Sequence, residues 1–398
     1  MKTLMLVAVI IAICGSAAAD PAKVFPPRGD WPRAAPSELG LDRDALQAAI
    51  AFAIEHETRF PRELADKVSA RDLTVKVPLD FAREPLSSPI GPIEPRGEPT
   101  GLIIRSGRIV AEWGDPSAVE MTFSITKTFL SHVAGLAYDA GRIPDLDAPV
   151  AALVPDPRFH TAHNAPITWD HMLRQTSGWT GTLFGKPDWV DRPRGTDAYS
   201  DLAAGPPTPG EAWEYNDVRV NALALALLHV WKRPLPAVLA ERIMTPIGAS
   251  DTWRWEAYEN AQVEIEGETL LSVPGGGHWG GGMFINAYDL ARLGVLGLHR
   301  GDWDGERVLS EDWFEMSATP TPQRPDYGFM NFFLNTPNAP DAEPRFPTAP
   351  ASAWVYYGAG TNLVYVDAEN DLGAGGRWSD RARRGDFIAK VLAAIEGA

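Results

Sequence analysis

The alternation of apolar and polar positions divides the chain into three stretches. Asp42 opens a helical pattern in which Leu46, Ile50, Ala53 and Ile54 return on one face. Leu102-Ile-Ile-Arg105, the turn pair Ser106-Gly107 and Ile109-Val-Ala-Glu-Trp113 read as a β-hairpin. Before the hairpin, the prolines and glycines of residues 85–99 forbid regular structure and mark a surface loop. From Phe123 an apolar helix runs to about Ala140 and stops at Gly141. Residues 145–300 read mainly as helices joined by Pro/Gly loops, the clearest at Trp169–Gln175, Val218–Trp231, Leu235–Thr245 and Ala287–His299. Strand character returns in Tyr327–Leu334, Ala353–Tyr357 and Asn362–Val366, and a helix from about Ser379 to Ala394 closes the chain.

This order predicts an α/β (α+β) fold: one α/β domain made of residues 20–122 and 300–398, with a mainly α-helical domain, residues 123–299, inserted between its halves. Residues 1–19 stand apart. Lys2, the apolar run Leu4 to Ile13 and the small residues Gly15 to Ala19 have the pattern of a secretory signal peptide cut after Ala19. The run is too short for a membrane anchor, which needs roughly 20 residues, and Ile13 stands where a lipidated cysteine would need a small residue before it. The expected location is the periplasm or the medium, with no stable membrane insertion after cleavage.

Composition narrows the chemistry. Of 398 residues 45% are hydrophobic and 22% charged, as in an ordinary globular protein. Cys14 is the only cysteine, so cleavage would leave no thiol for a disulfide, a metal or a nucleophile. A net charge of −16 with no basic run argues against nucleic acid and against polyanionic substrates.

Ser124-Ile-Thr-Lys127 is the sharpest chemical signal. A hydroxyl near neutral pH needs a base within hydrogen-bond reach, and residues i and i+3 at a helix start share one face. The dipole at that helix end favours a developing oxyanion, and burial is expected to depress the lysine pKa and supply a neutral amine. The apolar positions Phe129, Leu130, Val133 and Leu136 make the helix a buried one that can hold a nucleophile rigidly.

Met121-Thr-Phe-Ser-Ile-Thr-Lys-Thr-Phe129 resembles the nucleophile segment of the serine β-lactamase-like family, which includes penicillin-binding proteins, D-peptidases, class C β-lactamases and related carboxylesterases. Three further stretches are similar in the expected order: Ile167 to Gly178 with its Gln-Thr-Ser-Gly end, Trp213-Glu-Tyr-Asn-Asp217 with the helix after it, and Gly281 to Gly294. The resemblance spans roughly residues 40–395. It implies an antiparallel sheet flanked by helices with an inserted helical domain, and a phenol, Tyr215, that relays the serine's proton. The family's Tyr-x-Asn motif is altered here: Asp217 stands at the Asn position and Asn216 precedes it. The family's third motif aligns near Ser352–Trp354, where no lysine or histidine occurs. That missing cation argues for a neutral ester or amide, with an oxyanion-hole amide from Val355 beside that of Ser124. His278 and Trp279, ahead of the glycine run, are candidates for the cleft rim.

Other motifs are weaker. Gly275-x-Gly-x-x-Gly280 lacks the strand–turn–helix setting of a dinucleotide site, His160, His163 and His171 lack metal-ligand spacing, and no Gly-x-Ser-x-Gly elbow occurs. The expectation is a metal- and cofactor-free serine hydrolase acting on a small ester or amide through a Ser124–Lys127–Tyr215 acyl-enzyme, carboxylesterase-like. β-Lactams or D-amino-acid peptides are the alternative substrates, and a non-catalytic binding protein that keeps the fold is the alternative role. Oligomeric state is not legible.

Overall fold

The computed structural model describes residues 24–65, 85–191 and 205–396, so the segment read as a signal peptide lies outside the described residues. Six antiparallel strands form the main sheet, and both ends of the chain contribute. They are β1 (Thr100–Arg105), β2 (Arg108–Trp113), β6 (Phe332–Phe333), β7 (Trp354–Gly358), β8 (Asn362–Asp367) and β9 (Leu372–Arg377), in the order β6-β7-β8-β9-β1-β2. The hairpin read from Ser106-Gly107 is present, and both turn residues take positive φ.

Side-chain alternation puts the two faces of this sheet into different cores. Ile103, Val110, Val355 and Leu363 pack with α1 (Arg43–Glu55) and the C-terminal α5 (Arg384–Leu392). Leu102, Ile104, Val364 and Val366 face the helical side. In α1 the buried stripe is Leu46, Ala49, Ile50 and Ala53, whereas Ile54 is turned to solvent.

The middle of the chain is less purely helical than its pattern suggests. A small sheet of β3 (Glu120–Met121), β5 (Gly282–Ile285) and β4 (Arg254–Glu256), ordered β3-β5-β4, backs the nucleophile segment. Helix α4 (Ala287–Leu298), expected within the inserted domain, packs directly on β8 and β9 of the main sheet. Two helices form the interior of the helical part. In α2 (Thr126–Asp139) every residue from Thr126 to Ala137 is buried, and in α3 (Asp217–Trp231) every residue from Asp217 to Leu228 is. Helices this apolar all round belong to a core, and no single described helix is long and apolar enough to cross a membrane.

One buried contact ties the two sheets together next to the nucleophile. The Glu120 carboxylate on β3 accepts from Trp378 Nε1 at 2.9 Å and lies 3.5 Å from Arg377 Nη1 at the end of β9. All three side chains are buried. Glu120→Gln strands the guanidinium without its counter-charge, at an expected cost of about 3 kcal/mol. A lowered urea midpoint is the expected result; an unchanged one would mean that the pair does not anchor β3.

Candidate active site

From Glu120 to Ala137, Ser124 is the one residue that is not buried. Its exposure is a product of backbone geometry. Phe123 takes φ +51°, a left-handed conformation that bulky residues seldom adopt, and a 3-10 turn over Phe123–Ile125 leads into α2. The Thr126 hydroxyl holds this turn, donating to Phe123 O at 2.6 Å and accepting from Met283 N on β5 at 3.0 Å. Lys127 follows one turn later with its Nζ 3.0 Å from Ser124 Oγ, in line with the i, i+3 reading.

Tyr215 and Asp217 arrive on a segment held from both sides. Gln175, in the Gln-Thr-Ser-Gly stretch, accepts from Glu214 N with its backbone oxygen and from Asn216 N with its side chain, at 3.0 and 2.9 Å. Asn216 caps α3 through Arg219 N and donates to Asp188 O and Asp191 O. It is fully buried, so its work is to hold the turn and not to line the cleft. Tyr215 lines the same cleft as Ser124, and the Lys127 ammonium lies 4.6 Å from the phenol ring centroid.

Asp217 alters the electrostatics expected of this lysine. Its Oδ1 accepts directly from Lys127 Nζ, and both groups are almost wholly buried. Burial does pull the lysine pKa down, as expected, but the Asp217 carboxylate, helped by Tyr215, outweighs it and holds the amine above its ordinary range. Reciprocally, burial favours a neutral Asp217, yet the Lys127 ammonium and then His278 hold its carboxyl below the usual range. Burial and the same carboxylate push the Tyr215 phenol up. The expectation of a lone neutral amine is therefore corrected: the resting site holds a buried ammonium–carboxylate pair.

Asp191, which no sequence motif flagged, completes the floor. It accepts from Asp217 N at 2.5 Å, and its other oxygen lies 3.8 Å from His278 Nδ1. The donor atoms of Asp191, Asp217 and His278 lie within 4.8 Å of one another, but Asp217 Oδ1 is committed to the lysine, whose charge would oppose a cation there. His160 and His163 bond backbone carbonyls of their own region, and His171 belongs to the cap at Thr168.

The backbone of Gly275-Gly-Gly277 closes over the ion pair. A Cβ on Gly276 would strike both Asp217 Oδ2 and Lys127 Nζ, which explains a glycine run that only formally resembles a nucleotide loop. Beyond it His278 lines the cleft, whereas Trp279 is buried away from it, with Lys186 Nζ 5.2 Å from its ring centroid.

Ser124, Tyr215, Asp217 and His278 share one cleft of about 380 Å³, within the size range of small-molecule sites. Val355 does not line it. It sits in the core on the far face of the sheet, three residues before Gly358, and the cleft wall is Gly358 to Thr361. A Cβ on Gly358 would collide with Thr122 O, so the end of β7 lies directly against the nucleophile turn. The strand carries no cation, as read from the sequence, yet Arg59, Arg324, Arg345, Arg381 and Arg384 from other segments line the same cleft.

An antiparallel sheet flanked by helices, with a buried helix presenting a serine and a lysine at its edge, defines the β-lactamase/transpeptidase-like fold. The Beta-lactamase family profile matches residues 102–387, and the chain belongs to that family of serine hydrolases. Among solved structures it is similar to a penicillin-binding-protein homologue from Caulobacter crescentus, at 19% identity and TM-score 0.53, covering 74% of this chain and 92% of the other. It is also similar to EstCE1, a hydrolase with promiscuous acyltransferase activity, at 16% identity and TM-score 0.52, covering 75% and 93%.

The glycine lid yields a direct test. Gly276→Ala is expected to leave the circular dichroism spectrum intact while lowering kcat about 100-fold, the scale of a 1 Å misplacement of catalytic groups. Unchanged kcat would mean that Lys127 and Asp217 are not held by this contact.

Proposed function

We propose that the protein hydrolyses an ester or amide through a covalent acyl-Ser124 intermediate, with carboxylesterase-type activity. The observation that carries the reading is the 3.0 Å contact between Lys127 Nζ and the one cleft-exposed hydroxyl of the nucleophile segment. EstCE1, a hydrolase of the same fold, supports an activity of this class by analogy.

In the proposed cycle Lys127 and Asp217 act as a single proton-sharing unit. An ammonium has no lone pair, so Lys127 passes one proton to Asp217 Oδ1 as it takes the proton of Ser124 Oγ. The oxygen then attacks the carbonyl carbon. Backbone N–H groups of Ser124 and of the Gly358 end of β7 receive the oxyanion. Collapse expels the leaving group, which takes its proton through Tyr215. Water then attacks the acyl-enzyme, the same network accepts its proton, and Ser124 is regenerated. We further propose export guided by the segment ending at Ala19; a purified periplasmic protein beginning at Asp20 would support it, and full-length protein confined to the cytoplasm would refute it.

Intact-mass measurement after fluorophosphonate treatment tests the nucleophile. One adduct on the wild type and none on Ser124→Ala is expected; equal labelling of both would place the nucleophile elsewhere. Short-chain p-nitrophenyl esters are expected to turn over faster than a chromogenic β-lactam, and the reverse order would favour β-lactam hydrolysis.

The paired titration sets the pH behaviour. The competent arrangement, neutral amine beside protonated Asp217, is a tautomer of the resting pair and requires no net loss of a proton. Activity should therefore fall on the acid side only as the pair gains a second proton, at the depressed pKa of Asp217. In Asp217→Asn the limb passes to Lys127 alone, which must deprotonate, so the acid limb of kcat/KM is expected to move up by more than about one pH unit. A coincident limb in wild type and variant would refute proton sharing.

A further inference from the structure

One wall of the cleft comes from outside residues 102–387, the span that the family profile matches. Thr58, Arg59 and Phe60, which follow α1, line the cleft together with Ser124. A single buried side chain binds this segment to the body of the protein. The Arg96 guanidinium carries five N–H donors, and all of them are used locally. Nε and Nη2 donate to Phe60 O at 3.0 and 2.6 Å, and Nη2 also donates to Thr58 O at 3.3 Å. Nη1 donates to Glu57 Oε1 at 2.7 Å and to Gly97 O at 2.8 Å. With every donor committed, Arg96 is a clasp on residues 57–60 and has none to offer an incoming molecule.

The clasped segment is also tied to the main sheet. Thr58 N donates to Trp378 O at 2.7 Å, Asp380 N donates to His56 O at 2.6 Å, and Glu57 and Ser379 form an antiparallel bridge. Trp378 is the residue whose indole donates to Glu120 on β3.

Beneath the clasp lies a small core of its own. Phe60 and Leu64 are buried with Met121, Phe123, Phe284 and Trp378, in a cluster separate from the cores on the two faces of the main sheet. Met121 and Phe123 belong to the segment that presents Ser124. Phe123 has the φ of +51° on which that presentation rests. A bulky residue keeps a left-handed conformation only where its surroundings over-determine it. Those surroundings are Phe284 from β5, Trp378 from just beyond β9, and Phe60 and Leu64 from the clasped segment.

We infer that Arg96 and Phe60 are positioning residues for the nucleophile. Arg96 fixes the backbone of residues 57–60, Phe60 carries that constraint into the cluster around Phe123, and Phe123 holds Ser124 beside Lys127. The inference rests on the acyl-Ser124 reading and adds to it a buttress drawn from the N-terminal part of the chain. Its two links can be cut separately. Arg96 bonds the carbonyl of Phe60 and not the ring, so Phe60→Leu leaves the clasp intact. Arg96→Lys keeps the charge but has only three donors, which cannot replace a planar fork.

The test follows fluorophosphonate labelling of Ser124 by mass at rising probe concentration, well below each variant's thermal midpoint. The limiting rate reports nucleophile placement, and the half-saturating concentration reports the cleft wall. Arg96→Lys and Phe60→Leu are each expected to lower the limiting rate, and kcat on a p-nitrophenyl ester, about 10- to 100-fold with KM changed less than about threefold, the scale of an ångström-level misplacement. The double variant should lose less than the product of the two single effects, because the residues act in series. Arg62→Gln, which removes more exposed ion pairs to Glu57 and Glu98 on the same segment, should label at the wild-type rate. If Arg96→Lys does not fold, Phe60→Leu decides alone. Limiting rates equal to wild type in the folded variants, a change confined to KM, or an equal loss in Arg62→Gln would overturn the positioning role. Each of those results leaves the acyl-enzyme reading standing, whereas a wild-type Ser124 that takes no label and turns over no ester refutes both.

Discussion

The buried contact between Lys127 and Asp217 is the constraint around which the site is built. Taking an ammonium and a carboxylate out of water costs several kcal/mol per ion, and only close geometry with further hydrogen bonds offsets it. The surroundings meet that requirement from several directions. Asp191 accepts from the backbone N–H of Asp217, Asn216 fixes the start of the helix that carries it, and Gly276 permits the backbone to lie directly on the pair. Each of these would be unremarkable on the surface. In the interior they leave the lysine one position, and that position is beside Ser124.

The same pair separates what was legible in the sequence from what was not. Ser124 and Lys127 could be read because their relation is local, one helical turn within an apolar helix. Tyr215 is read only through resemblance to a family segment, and its ring lies 4.6 Å from Lys127 Nζ in the same cleft as Ser124. The charge state of Lys127 was misjudged for a physical reason. Burial of the helix is visible in its apolar pattern, but the partner that reverses the effect of burial lies 90 residues away and is delivered by tertiary packing. Asp191 is placed by a 3-10 turn with no motif of its own, and the arginines come from segments whose only common property is the cleft.

Strand details failed for related reasons. Leu372–Arg377 is a central strand with glycines at 373, 375 and 376, and without side chains there is no alternation to read. The sequence alignment points to Val355 for an oxyanion-hole amide, but the residues that reach the nucleophile turn begin at Gly358, where the chain leaves β7 for a short turn that includes Gly360 and Thr361 at positive φ. Register near a turn depends on that turn's geometry. Ile54 shows the converse error: it fits an apolar stripe by spacing but sits just outside the arc that α1 buries.

Net charge misleads for the same reason that spacing does. A total of −16 describes the average surface, whereas a cleft with low-dielectric walls responds to the charges that line it. Here Lys127 faces the carboxylates of Asp217 and Asp191 at the floor, while five arginines line the same cleft. The close approach of β7 to the nucleophile turn, permitted by the missing side chain at Gly358, sets the strand end against the segment that presents Ser124 to this cleft.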